Sequence, residues 1–177
     1  MSIDNLTVRR AEPEDAAPIA EVHVSAWRAA YEGLLPETFL ASLSVEERER
    51  GWRQTLRYPE RTVFVAERED EVVGFASFGK CRDADKGDSV AELMTIYALP
   101  DVWGQGVGRA LWQTVREAML SENYLEATLW VLEGNDRALR FYQAVGFTLD
   151  GTRKIEEWNG VTLHEQRLTQ TLQQTPT

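Results

Sequence analysis

The chain has 177 residues, 43% of them hydrophobic, which suits one domain with a substantial core and leaves two independent domains cramped. Nineteen Lys and Arg against 29 Asp and Glu give a formal charge of −10, which argues against a nucleic-acid-coating protein and favours cationic ligands at long range. The single cysteine, Cys81, excludes an internal disulfide and a cysteine-cluster metal site, and reads as a small core or strand-end residue. The opening "MSIDNLTVRRAEPED" lacks an apolar signal region and no apolar run is long enough to span a membrane, so the expected location is cytoplasmic.

In chain order, "NLTVRRA" predicts a first strand, and "PEDAAPIAEVHVSAWRAAYEG" a helix opened near Pro13 and closed by Gly33. "LPETFLASLSVEERERGWRQTLRY" predicts one or two further helices. "RTVFVAE" and "EVVGFASFGK", separated by "RED", predict an antiparallel hairpin. The strand "SVAELMTIYAL" runs into a glycine loop and a helix, and "EATLWV" is a strand followed by the helix "NDRALRFYQAV", which Gly146 ends. "FTLDGTRKIEEW" and "VTLHEQRL" flank Asn159-Gly160, a pair suited to a type I′ hairpin turn. This order predicts a single α/β domain over residues 1–170, with a mixed sheet and helices on both faces, and a flexible tail over 171–177.

The loop "DVWGQGVGRAL" carries Gly104, Gly106 and Gly108 at alternate positions where a strand enters a helix. Without Cβ atoms an anion can approach the main chain, and the first-turn N–H groups of a helix are unpaired and positively polarised. The G-x-G-x-G spacing late in the chain disfavours a dinucleotide-binding strand-helix unit, and the absence of Gly-Lys-Ser/Thr disfavours nucleoside triphosphate hydrolysis. A diphosphate held by main-chain amides, with Arg109 as a secondary charge, is the remaining functional reading; a tight turn is the structural one.

In "LWVLEGNDRALRFYQAVGF", Asn135 is a natural N-cap, and Ala138, Phe141, Tyr142 and Val145 form an inward stripe. Core packing accounts for most of this segment, but a buried phenol at Tyr142 needs a partner for its hydroxyl.

Together the two segments resemble the GNAT superfamily of acetyl-CoA-dependent N-acetyltransferases. The second motif, N-x-x-A-x-x-x-Y-x-x-x-G-F, is complete in Asn135, Ala138, Tyr142, Gly146 and Phe147. The first keeps Gly106 and Gly108, but Trp103 stands where the family carries Gln or Arg, which removes one side-chain contact and leaves the amide cradle. The resemblance extends to "VRRAEPEDAAPIAEV" and "FVAEREDEVVGFASF", and so spans most of the chain. It implies a mostly antiparallel central sheet with a splayed strand pair at the CoA site. It also implies main-chain contacts to the pantetheine arm at Ile96, Tyr97 and Ala98, and a pyrophosphate on the amides of Trp103, Gly104, Gln105, Gly106, Val107, Gly108 and Arg109. Asn135 would approach the pantetheine arm and Tyr142 the thioester sulfur, which makes Tyr142 the expected acid for the departing thiolate. The expected partners are acetyl-CoA and an amine acceptor, with no nucleic acid, membrane, metal or covalent enzyme intermediate; a homodimer is admitted.

An alkyl amine, with a reference pKa near ~10.4, must lose a proton before it attacks a thioester, so a base or a water chain ending in one is needed. Some family members carry a catalytic glutamate where this chain has Glu92, which shares a strand face with Met94 and Ile96 before any bulge, and the resemblance implies a bulge where this strand splays. Glu133, Glu32 and His23 are weaker rivals, and His23 reads as a satisfied half-buried residue. The acceptor side implied by the resemblance includes Trp27, Tyr31, Glu32, Glu156, Glu157 and Trp158, which suit a small cationic amine or a peptide amine, although aromatic residues at helical spacing are usually core. Two rival classes are a noncatalytic acyl-CoA sensor or interaction module on the same scaffold, and an enzyme using a different adenine nucleotide.

Overall fold

The computed structural model describes residues 5–173. Its elements are β1 (Leu6–Arg10), a 3-10 turn at Pro13–Asp15, α1 (Ala16–Ala30), α2 (Glu37–Ala41), α3 (Val45–Thr55), β2 (Thr62–Arg68), β3 (Glu71–Lys80) and β4 (Val90–Ala98). After a second 3-10 turn at Pro100–Val102 come α4 (Val107–Ser121), β5 (Glu126–Leu132), α5 (Asp136–Ala144), β6 (Thr148–Trp158) and β7 (Val161–Thr171). The strands form one seven-stranded sheet in the order β1-β2-β3-β4-β5-β7-β6, antiparallel except for β4 beside β5. Both expected hairpins are present. Asn159 and Gly160 have φ of 50° and 78°, as a type I′ turn requires. Glu69 and Asp70 turn the first hairpin at φ of 51° and 65° without a glycine.

The alternation of side chains in β2 and β3 explains why helices cover both faces. Val63, Val65 and Phe75 point to one side and pack with Ile19 and Val22 of α1 and Trp52 of α3. Ala66, Ala76 and Phe78 point to the other and pack with Val107, Leu111 and Val115 of α4. Burial on both sides removes the polar stripe that a half-exposed strand would show.

The parallel pairing of β4 with β5 covers only Val90–Glu92 against Glu126–Thr128. Beyond Glu92 the strands part, which opens a cleft at the centre of the sheet. A bulge accompanies the parting: Leu93 pairs with Phe78 and Thr95 with Ser77, so Met94 is the extra residue. The alternation expected before any bulge therefore ends at Met94. Glu92 pairs with Gly79 and Ile96 with Ala76, so the inserted residue puts Glu92 and Ile96 on opposite faces of the sheet. The same shift leaves Tyr97, paired with Phe75, on the face covered by α1.

Thr171 closes β7, and Leu172 is buried, donating its N–H to the Leu125 carbonyl at 2.9 Å. Residues 171–173 are therefore tied to the domain, and the rest of the expected tail lies outside the described residues. Among the described residues no helix is long and apolar enough to cross a membrane.

Candidate active site

Two cavities meet where β4 and β5 separate. The first, about 490 Å³, is lined by Ile96, Tyr97 and Ala98 of β4, by Trp103, Gly104, Gly106, Gly108 and Arg109 of the glycine loop and α4, and by Asn135, Arg137 and Tyr142 at α5. The second, about 690 Å³, lies toward α1, α3 and the β6–β7 hairpin. Tyr31, Leu93, Met94, Thr95, Tyr97 and Trp130 line both, so the two volumes share a wall.

The glycine loop has the form expected of an anion cradle. Gly104 and Gly106 have φ of 76° and 88°, and Gly106 is the N-cap of α4. A Cβ built on Gly104 meets nothing within 4 Å, so its bare face opens to solvent. Gly108 has another duty: a Cβ there would lie 3.1 Å from the Phe141 ring, so its missing side chain lets α5 pack against α4. Trp103 has become a tether, donating its indole N–H to the Ala98 carbonyl at 2.9 Å. Its ring also carries the guanidinium of Arg137, with Cζ 3.4 Å from the ring centroid. Arg137 lines the cleft, and the sequence argument did not single it out; only its place in the first turn after Asn135 marks it.

Asn135 caps α5 as expected, its side-chain oxygen accepting the Ala138 N–H at 3.3 Å. Tyr142 lines the cleft, and no hydrogen bond of its hydroxyl is found among the described residues. Burial pushes its pKa well up, nearby Tyr97 adds to the rise and Arg137 opposes it, so the phenol is held protonated.

Four carboxylates line the second cavity, those of Asp83, Glu92, Glu156 and Glu165, and two of them are candidate bases. Glu92 is buried, and its oxygens accept from the Arg82 main-chain N–H at 3.2 Å, from Nε at 3.3 Å and from Nη2 at 2.7 Å. Glu165 of β7, absent from the sequence reading, is pushed up in pKa chiefly by burial, with Lys154 opposing and Glu156 adding. Its Oε2 is shielded from solvent and accepts no hydrogen bond, although the Lys154 ammonium lies 3.5 Å away. Nothing local marks Glu165; the sheet order brings it here.

Trp27 and Tyr31 line this cavity, with ring centroids 4.8 Å apart, and Trp158 stacks edge-on to Trp27 at 5.3 Å. Glu156 lines it too, Glu157 borders a smaller adjoining recess, and Glu32 is exposed and lines neither main cavity. Glu133 sits against Gln166 and Arg153. His23 is buried, accepts the Trp52 indole N–H on Nδ1 at 3.1 Å and is depressed to about 3 by burial and then by Arg48, so it is neutral and satisfied. Cys81, Asp83 and Glu92 bring potential ligand atoms within 4.8 Å of one another. Their carboxylates are already engaged, Glu92 by Arg82 and Asp83 by the Trp130 indole and by Arg167 at 3.1 Å.

The strand pair splays beside a left-handed glycine loop that opens a helix, so the cleft ends at a helix N-terminus, where unpaired main-chain N–H groups favour an anion. The chain belongs to the acetyltransferase (GNAT) family, which it matches over residues 25–147. It is 40% identical over 140 residues, 78% of each chain, to the uncharacterized N-acetyltransferase YuaI of Bacillus subtilis (strain 168). It is 26% identical to a probable N-acetyltransferase of Mycobacterium tuberculosis, covering 85% of this chain and 84% of the relative. The fold matches the PaiA N-acetyltransferase of Thermoplasma acidophilum solved with coenzyme A, with a TM-score of 0.71, 21% identity and coverage of 97% and 99%. It also matches the putative acetyltransferase yncA of Salmonella typhimurium solved with acetyl-CoA, with a TM-score of 0.72, 20% identity and 98% coverage of each chain.

Proposed function

We propose that the protein transfers the acetyl group of acetyl-CoA to a primary amine of a small molecule or peptide by direct attack within a ternary complex. The shared wall of the two cavities carries this reading: a thioester laid along Ile96–Ala98 and an amine entering past Trp27 would meet across Tyr97 and Met94. The amides around Gly106 would take the pyrophosphate, with Arg137 and Arg109 beside it, because Gly104 leaves an open face and a helix N-terminus lies behind the loop. Attack joins the amine nitrogen to the acetyl carbon, the C–S bond breaks, one ammonium proton goes to a base and another to the thiolate. Tyr142, held protonated, relays that last proton: its hydroxyl gives its own proton to the thiolate and is restored by the one leaving the nitrogen.

Glu92 is the proposed base. Arg82 holds its carboxylate, but that side chain is 64% exposed, so the ion pair can open to a water that relays the proton. A second reading rests on Glu165, whose pKa is raised and whose Oε2 accepts no hydrogen bond and meets Lys154 only at 3.5 Å, which suits proton uptake from an ammonium. Incubating the protein with acetyl-CoA labelled in the acetyl group and a panel of amines tests the function: label recovered in an amine supports transfer. Tight binding of acetyl-CoA with no labelled amine would instead favour an acyl-CoA sensor.

A further inference from the structure

The charges lining the acceptor cavity do not cancel in place. Arg82 is spent on Glu92 at 2.7 Å, Asp83 on Arg167 at 3.1 Å, and Lys154 is shared by Glu156 at 3.2 Å and Glu165 at 3.5 Å. His23 is neutral. What remains on the wall is net negative charge at the Glu156–Glu165 pair, added to by Asp83, which shares Arg167 with Asp85 and Asp150, and one positive charge at Arg48. No carboxylate among the described residues lies within ion-pair distance of Arg48, and Glu47, its chain neighbour, is exposed. The guanidinium is half-buried between two indoles, its Cζ 5.4 Å from the Trp27 ring centroid and 5.1 Å from that of Trp158.

A half-buried arginine with no anion forgoes the stronger, charge-assisted hydrogen bonds open to it. Aromatic faces hold the planar cation in position but leave its in-plane N–H groups unanswered. Burial lowers the Arg48 pKa, with Tyr97 and Glu47 opposing the fall without overcoming it. The opposite imbalance, at Glu165, faces the same cavity from β7.

Resting on the acetyl-transfer reading, we infer that the acceptor is a zwitterionic small molecule of the amino-acid type, its carboxylate bound by Arg48 and its amine directed toward the Glu165 side. A polyamine would instead bring a second cation against Arg48. The indoles of Trp27 and Trp158, which hold Arg48, thereby become specificity-determining residues.

The test compares the twenty free amino acids with their carboxamides and decarboxylated amines, following thiol release at saturating acetyl-CoA. Some free acid should be acetylated with kcat/KM at least about tenfold above its own amide, the scale of one charge-assisted contact. Arg48→Gln should erase that preference through KM, leaving amide turnover and the affinity for acetyl-CoA unchanged, and Arg48→Lys should restore part of it. Equal or better use of amides or diamines, or an equal effect of Arg48→Gln on acid and amide, would overturn the zwitterion while leaving acetyl transfer intact. If no amine is acetylated, thermal shifts of the CoA-bound protein decide: protection by free acids but not amides, lost in Arg48→Gln, upholds the anion site without the transfer reading. No protection overturns both.

Discussion

The Arg137 guanidinium lies over the Trp103 ring, Cζ 3.4 Å from its centroid, while the same indole donates its N–H to the Ala98 carbonyl at 2.9 Å. One tryptophan thus ties the end of β4 to the glycine loop and fixes a cation at the cleft. We predict that Arg137→Ala weakens acetyl-CoA binding by about tenfold, as removing one charge-assisted phosphate contact does. Trp103→Phe, which keeps a ring but removes the N–H, should cost about 1 kcal/mol of stability. Calorimetric titration with CoA and urea unfolding check the two; unchanged affinity in Arg137→Ala would free Arg137 from any role in the cleft.

Gly106 and Gly108 should fail differently. Gly106→Val forces a branched residue to φ near 88° and puts methyl groups in the anion cradle, so a folded variant should lose most of its CoA affinity. Gly108→Ala presses on the Phe141 ring from 3.1 Å and should lower Tm more than it lowers affinity. Parallel thermal unfolding and CoA titration separate them, and matching profiles would remove the distinction.

Tyr142→Phe removes one oxygen while keeping the ring packing, so stability should hold and turnover should fall about a hundredfold, the usual contribution of a positioned general acid. Acetyl-CoA affinity should be retained. Wild-type turnover would return Tyr142 to the core and give the thiolate proton to water.

The two carboxylates separate by pH. If Glu92 is the base, Glu92→Gln depresses kcat/KM at neutral pH and recovers partly at higher pH, as free amine becomes available. Glu165→Gln should then leave the shape of the profile unchanged. Loss of an acid limb lying above the usual carboxylate range in Glu165→Gln, with Glu92→Gln retaining it, would assign the proton to Glu165.

His23 gives a stability prediction. Its folded pKa is about 3 against an ordinary 6.5, so the unfolded chain binds a proton that the folded chain refuses as pH falls through that window. The stabilisation is full above 6.5 and is lost toward 3, by up to about 1.4 kcal/mol per pH unit. His23→Gln, which keeps an acceptor for the Trp52 indole, should lose less stability between pH 7 and 5 in urea unfolding. Equal losses would show that His23 titrates normally.

What the sequence made legible was local. Asn135 capping α5 and Asn159-Gly160 turning the last hairpin need only their own side chains and backbone, and both stand as read. The glycine loop was legible as a left-handed entry to a helix, but the same lack of Cβ at Gly108 serves Phe141, a neighbour that only the packed helices supply. The bulge that the resemblance implied has no marker of its position in "VAELMTIYA", where apolar residues continue through Met94, so which residues share a face with Glu92 was not legible. Arg48, Glu165 and Arg137 matter through partners far off in the chain or through a missing partner, and neither shows in a linear pattern.

Initial rates with acetyl-CoA and one accepted amine both varied, with the acetylated amine identified by mass, test the ternary complex most directly. The account predicts intersecting double-reciprocal lines, an amine heavier by one acetyl group and no acetylated protein. Parallel lines with an acetyl group on the protein would contradict it, as would acetyl-CoA binding without any acetylated amine.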